Sequence, residues 1–418
     1  MSAKVYVAGG AITPFIGKGN PDFIWKRHPD FGTRENPSLK DYLVRAVSEA
    51  AEATGVDLKQ VDKAYVANFV GELFVNQGHL GAALAGSHPD LAGKPSMRVE
   101  GACASGGLAM AAGVDAIKAG ADLVLVAGVE VQTTASARTG GDYLARAADY
   151  ERQRPMDDFT FPALFARRMK AYRTAFDVSE EDVGRVAVKA YNNANKNPLA
   201  HMRARKVDLE FAKAPNDKNP NFLSNEEFSP WLKVTDCSQV SDGGAAMFLV
   251  SEAGIEKLGL NKSDCIELVG IGQATASLYE DGDLTEMSTT KLAAERAYGQ
   301  ANLGPMDVQV AEVHDCFTIA ELLMYEALGF AERGKAAELV KEGVTDLDGR
   351  LPVNTGGGLV GFGHPVGATG VKQVLEIWRQ MKGRCGDYQV SNNPKVGLTA
   401  NMGGDDKSVV VALFQDCA

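Results

Sequence analysis

Short Val/Ile/Ala-rich runs alternate along this chain with alanine-rich stretches of helical periodicity, and that alternation confines it to an α/β architecture. An amphipathic helix over Leu39–Thr54 leads through a short linker into a strand-like Val61–Phe69. The same order returns late, as a helical Lys291–Ala301, then Gly304-Pro305, then a strand-like Val308–Val313. A small-residue helix follows Cys103, and another helix follows His364. Identity between the two parts is weak, but the repeated order predicts an internal duplication.

Between them lies a stretch of different character, 132–233, richer in Arg, Lys, Asn, Pro and aromatics. It predicts an inserted, mostly helical domain between the fourth and fifth strands of the first half. The chain re-enters the core at AspCysSerGlnValSerAspGlyGlyAlaAlaMetPheLeuVal (236–250). The expected division is 1–131 with 234–262, then 132–233, then 263–418. The basic residues of the insertion are either a solvated helix face or a clamp for the phosphates of a nucleotide-like ligand. Arg167, Arg168, Arg203, Arg205 and Lys206 are the candidates for the second role.

Bulk properties exclude more than they select. A net charge of −11 argues against a nucleic-acid or membrane-surface binder. There is no charged-then-apolar leader at the N-terminus, no apolar run of the ~18 residues that span a bilayer, and no Ser-Lys-Leu ending. A cytoplasmic protein is therefore expected. The six cysteines, at 103, 237, 265, 316, 385 and 417, form no CxxC pair and no zinc or disulfide spacing. Reduced thiols are expected, without a metal.

Four loops carry candidate chemistry. In GlyAlaCysAlaSerGlyGly (101–107), Cys103 stands at the start of a small-residue helix, where the dipole and free N–H groups favour thiolate. A structural core cysteine is the plainer alternative. In GluValHisAspCysPheThr (312–318), His314 and Cys316 follow a strand and precede a helix, with Thr318 and Glu321 at capping-box spacing. In GlyGlyGlyLeuValGlyPheGlyHisProValGlyAlaThrGly (356–370), His364 precedes a helix-starting Pro365, a setting that favours a neutral imidazole base. The GxGxxG match inside this loop follows no clear strand and is weak as a dinucleotide fingerprint. ThrAlaAsnMetGlyGlyAspAsp (399–406) reads as a glycine hairpin whose N–H groups can line an oxyanion site.

Taken together, in this order and across the whole chain, these loops resemble the thiolase superfamily. GlyHisProValGlyAlaThrGly (363–370) is its most specific string here, and HisAspCysPhe (314–317) is similar to the sterol-carrier-protein-type thiolases. Asn401 stands where other thiolases carry a hairpin cysteine, which implies Cys316 as the proton-transfer thiol. The acidic pair Asp405-Asp406 departs from what an anionic ligand would favour.

The resemblance implies two βαβαβαββ halves in a five-layer α/β/α/β/α core with an inserted loop domain that binds coenzyme A. It implies thiolysis of 3-ketoacyl-CoA, or the reverse Claisen condensation, through a Cys103 acyl-enzyme. His364 would act as base, His314 and His364 as donors to the enolate oxygen, and the N–H groups of Cys103 and Gly403 as the oxyanion site. CoA would be co-substrate with no permanently bound cofactor. A homodimer or homotetramer is implied, and a small accessory protein is left open. The alternatives are a retro-aldolase acting on acyl-CoA side chains and a non-catalytic acyl-CoA or lipid binder.

Overall fold

The computed structural model describes residues 3–418. The first half runs β1 (Val5–Ile12), α1 (Leu39–Thr54), β2 (Lys63–Ala67), β3 (Ser96–Val99), α2 (Ser105–Lys118) and β4 (Leu123–Glu130). The intervening segment carries α3 (Thr160–Ala175) and α4 (Glu180–Lys196), and the half closes with β5 (Gly243–Ser251). The second half runs β6 (Ile266–Thr275), α5 (Ser288–Ala301), β7 (Val310–Glu312), α6 (Thr318–Ala327), α7 (Thr369–Met381), β8 (Val396–Gly403) and β9 (Ser408–Asp416).

Local chemistry sets these elements. Ser38 and Asp41 close a capping box over α1, and Gly55 in the left-handed region (φ 71°) ends it. Strands β4 and β5 are buried along their whole length, as expected of central strands covered on both faces. At α6 the anticipated capping box is absent. Thr318 instead donates to Asp236 (3.2 Å), and Glu321 turns into the core to accept from Asn354 (2.8 Å).

The duplication is visible in the sheet order, β3-β2-β4-β5-β1-β6-β9-β8-β7. Reading outward from the centre gives β1-β5-β4-β2-β3 on one side and β6-β9-β8-β7 on the other. A parallel bridge between Ala311 and Val353 stands where the second half lacks a full fifth strand. The halves join where Val5–Val7 pairs antiparallel with Ile266–Leu268.

Helices complete five layers. α1 covers β1, β4 and β5 from outside, and α5 covers β6 and β9. α2 and α7 lie between the half-sheets, each touching strands of both. Their contact is backbone on backbone: a Cβ on Gly106 would lie 2.7 Å from Gly370 Cα, and one on Gly370 would lie 2.4 Å from Gly107 N. Only glycine allows that approach, and it brings the N-terminal ends of α2 and α7 together. No described helix is long and apolar enough to cross a membrane.

Candidate active site

Cys103 sits in a short 3₁₀ turn, Ala102–Ala104, immediately before α2. The turn is held tightly: Gly101 N–H donates to Ser105 Oγ (3.0 Å), and Ser105 Oγ donates to Ala102 O (2.6 Å). Ala102 adopts φ 53°, a left-handed conformation uncommon for a residue with a Cβ and typical of functional turns.

The thiolate expected at a helix N-terminus does not form at rest. Burial pushes the Cys103 thiol up to about 12, against the pull of the Gly404 N–H on its sulfur. Desolvation outweighs the helix end, so the sulfur rests as a thiol. The hairpin N–H that pulls on that sulfur belongs to Gly404, next to the Gly403 expected at the oxyanion site.

His364 supplies the acceptor. Its Nδ1 lies 2.6 Å from Thr369 Oγ1, whose own proton goes to Pro365 O (3.1 Å). The hydroxyl therefore accepts from Nδ1–H, which leaves Nε2 as a bare lone pair. That Nε2 is buried and has no partner among the described residues. Burial also pushes the imidazole down to about 3, so it rests neutral.

His314 has the opposite tautomer. Its Nδ1 accepts from the backbone N–H of Met402 (3.3 Å) and from Asn401 Nδ2 (3.3 Å). The proton must then be on Nε2, which makes His314 a donor. Burial first, and His364 second, hold it well below the usual histidine range. The two rings meet edge to face, with centroids 5.1 Å apart. A ring nitrogen from each and the Cys103 sulfur all lie within 4.8 Å of one another. As a metal set the trio is poor, because the thiol is protonated and His314 presents N–H; only His364 offers a free lone pair.

Asn401 does more than replace a cysteine. Its Oδ1 accepts from Gly107 N–H (2.9 Å), and its Nδ2 donates to Cys103 O (3.0 Å) as well as to His314. One amide ties the Cys103 turn, α2 and the His314 ring together. Sequence reading placed this residue but not its role, because the contact spans the two halves. Thr369 was likewise missed, although its position in the HisProValGlyAlaThrGly string pointed to it.

Between the two catalytic candidates of HisAspCysPhe, Asp315 is a clamp. Its carboxylate accepts from Leu359 N–H (2.6 Å), and a Cβ on Gly358 (φ 62°) would lie 2.1 Å from Asp315 Oδ2. The triple glycine thus lets the His364 loop pass over Asp315, and the GxGxxG match has this structural cause. Glu130, fully buried, accepts from the N–H groups of Phe69 (2.8 Å) and Gly367 (3.0 Å), joining the loop after β2 to the loop after His364.

The acidic pair and the basic insertion explain each other. Asp405 is in an ion pair with the buried Arg168, which also donates to the carbonyls of Asp283, Leu284 and Glu286. Asp406 accepts from Thr289 N–H (2.8 Å) and Thr290 N–H (3.0 Å), capping α5. Arg168 is therefore a structural cation and not a phosphate ligand. Arg167 is drawn to Asp281 (3.4 Å) and Asp405 (3.6 Å), and Arg203 to Asp22 (2.6 Å). Arg205 lies over the Phe211 ring (5.4 Å), and Lys206 is exposed. None of the five lines the main cavity.

That cavity, of about 310 Å³, has Cys103, Cys316, His364 and Gly404 in its wall. Cys316 is buried, which pushes its thiol well above the usual range, with Cys103 adding to the effect. Around one apolar space the site presents two thiols, a bare imidazole nitrogen and the Gly404 backbone, with the His314 ring edge to face against His364.

Comparison with known proteins matches this chain along both halves. The family described as "Thiolase, N-terminal domain" matches residues 29–253, and "Thiolase C-terminal domain-like" matches 270–416. An acetyl-CoA acetyltransferase of Methanocaldococcus jannaschii is 38% identical, over 91% of this chain and 94% of its own. The structure of an Ltp2-ChsH2(DUF35) aldolase superposes with a TM-score of 0.77 at 23% identity, covering 99% of this chain and 98% of that one. Human mitochondrial 3-ketoacyl-CoA thiolase in complex with CoA gives 0.72 at 17% identity, covering 100% and 98%. With both halves matched by family and with a 38% identical relative along nearly its full length, the chain belongs to the thiolase family.

Proposed function

We propose that this acyltransferase cleaves a 3-ketoacyl-CoA with coenzyme A into acetyl-CoA and a shortened acyl-CoA, or runs the reverse condensation, through an acyl group carried on Cys103. The observation that carries this reading is the buried, unpartnered Nε2 of His364, on a ring with a nitrogen within 4.8 Å of the Cys103 sulfur. A retro-aldolase needs no acyl-enzyme and gives that pair no task.

Each step has a group to perform it. His364 Nε2 takes the thiol proton as Cys103 attacks the 3-keto carbon, which offsets the cost of a buried thiolate. The N–H groups of Gly404 and Cys103 hold the oxyanion, a type of contact typically worth about 3–4 kcal/mol in the transition state. The C2–C3 bond breaks, its electron pair passes to the enolate of acetyl-CoA, and Nε2–H of His314 donates to the enolate oxygen. Protonated His364 is the second donor. Cys316 gives its proton to the α-carbon; its raised pKa suits a donor to a carbanion better than it suits a nucleophile. His364 passes its proton on to the Cys316 thiolate; CoA thiol then attacks the acyl-enzyme, His364 takes the CoA proton, and it returns that proton to Cys103 as the sulfur leaves.

Coenzyme A is a co-substrate here, as its presence in the structure of the human mitochondrial relative supports. Among the described residues Arg205 and Lys206 have no carboxylate partner, and they keep the role of phosphate ligands. A cytoplasmic homodimer or homotetramer remains our reading. The two-component name of the Ltp2-ChsH2(DUF35) aldolase supports an accessory chain.

Intact-mass analysis after mixing with an acyl-CoA tests the reading. An acyl adduct on Cys103 is expected, and Cys103→Ala should lose it along with more than about 10⁴-fold of turnover. Turnover like that of the parent in the variant would end the covalent mechanism.

A further inference from the structure

From the wall of the main cavity we infer that the acyl group transferred is uncharged, apolar and bulkier than acetyl, of about the size of a benzene ring. This rests on the thiolase reading above and names its substrate class.

The wall is aromatic. Phe69, Phe159, Phe161, Phe222 and Phe317 line the space, with Leu144 beside them. Phe159 and Phe222 meet edge to face at 5.6 Å, and Phe317 is stacked from behind by Phe165 at 4.5 Å, so these rings are held by neighbours. An apolar cavity of about 150 Å³ suffices to bind benzene. The volume here, about 310 Å³, leaves room for such a group and for the thioester end of the pantetheine arm. Acetyl alone would leave much of the wall without partner atoms.

Charge is excluded by what the wall lacks. No Asp, Glu, Lys or Arg lines it, and His364 is neutral. Its amides are partly committed: Gln132 Oε1 accepts from Val366 N–H (2.9 Å), and Gln239 Nε2 donates to Cys237 O (3.1 Å). A carboxylate on the acyl group would be desolvated here without a cation to meet it.

The purified full chain should be assayed with free CoA and three substrates: acetoacetyl-CoA, 3-oxo-3-phenylpropanoyl-CoA and 3-oxoadipyl-CoA. The phenyl substrate should exceed acetoacetyl-CoA by at least about tenfold in kcat/KM, and the adipyl substrate should be slowest. Cleavage in which acetoacetyl-CoA is equal or faster, or in which 3-oxoadipyl-CoA matches the phenyl substrate, overturns the substrate class and leaves thiolysis standing. If none of the three is cleaved or acylates Cys103, the thiolase reading falls and this one with it. Ala147→Leu narrows the cavity and should lower the phenyl-to-acetyl ratio at least about fivefold. Leu144→Trp, at a half-buried position, repeats the test should that variant fail to fold. An unchanged ratio in a folded variant places the acyl group elsewhere and overturns the proposal.

Discussion

The two central helices come from equivalent places in the duplicated halves, yet they are built by different means. α2 positions its end of the site by shape. Its buried positions are Ser105, Gly106, Gly107, Ala109, Met110, Ala111, Gly113, Val114 and Ile117, with no charge among them. α7 buries Lys372, Gln373 and Glu376 as well. Lys372 meets Glu312 at 2.7 Å, and Glu376 accepts from Tyr388 (3.1 Å) and Arg379 (3.1 Å). Nearby, Lys189 of α4 meets Glu321 at 2.5 Å. The buried charges touch neither imidazole: Lys372 ties α7 to Glu312 at the end of β7, while the tautomers are set by Thr369 for His364 and by Asn401 and the Met402 N–H for His314.

The sharpest break would come at Cys316, on the polar side. Cys316→Ser keeps size and a hydroxyl but raises the proton's pKa far above that of a thiol. Deuterium exchange at the α-carbon of acetyl-CoA should fall by about 10³-fold, while acyl transfer from an ordinary acyl-CoA to Cys103 persists. Loss of both would make Cys316 a support for Cys103, and retention of both would remove it from the reaction.

The next tests whether one amide really joins the two sides. Asn401→Asp still accepts from Gly107 N–H but can no longer donate to His314 Nδ1 when ionised. The carboxylate would then compete with the Met402 N–H at His314 Nδ1, drawing the proton there and weakening the donor at Nε2. kcat should fall about 10²-fold with little change in KM, the pattern of a contact made in the transition state. Nitrogen-15 NMR of the imidazoles should show the tautomer change, and an unchanged spectrum would sever the link between Asn401 and His314.

On the apolar side the expected penalty is steric. Gly106→Ala would drive a Cβ to 2.7 Å from Gly370 Cα, where backbone faces backbone and neither can yield cheaply. Chemical denaturation should show a loss of about 2 kcal/mol. A neutral result would mean that α2 and α7 can move apart, and that shape alone does not align their ends.

Much of this division was legible in the sequence. The small residues after Cys103, the HisAspCysPhe turn and the triple glycine before His364 are legible as local motifs, although the partners they meet, Gly370, Asn401, Met402 and Asp315, are distant in sequence. α1 spans the expected Leu39–Thr54 because its cap, periodicity and stop are all within the segment. What escaped depends on contacts across hundreds of residues. Arg168 reads as a surface cation until Asp405 is seen against it, and Asp406 as an obstacle to ligand until it caps α5. The Cys103 pKa was misjudged for the same reason, since burial is a property of the fold and the helix end a property of the segment.

A further test separates a buried histidine outside the candidate site from the two within it. His201, in the insertion, is fully buried, with Nδ1 2.9 Å from Ser241 Oγ and Nε2 3.2 Å from Lys18 O. Ser241 in turn accepts the His364 N–H (3.2 Å), so His201 braces the loop that bears His364. Burial pushes the His201 imidazole down from 6.5 to about 4. A depressed folded pKa contributes stability that is present above the unfolded value and lost as pH falls toward the folded one. Between about pH 6.5 and 4 the unfolded chain takes a proton at this site that the folded chain refuses. Stability should therefore drop by up to about 1.4 kcal/mol per pH unit from this residue over that window. His201→Gln cannot titrate and should remove that share of the acid limb, read as a shallower fall of the urea midpoint with pH. His314 and His364 have the same sign and remain in the variant, so the limb should flatten without vanishing. Identical slopes in the two proteins would mean that His201 takes up its proton inside the fold, and that the insertion is more open to water than its packing implies.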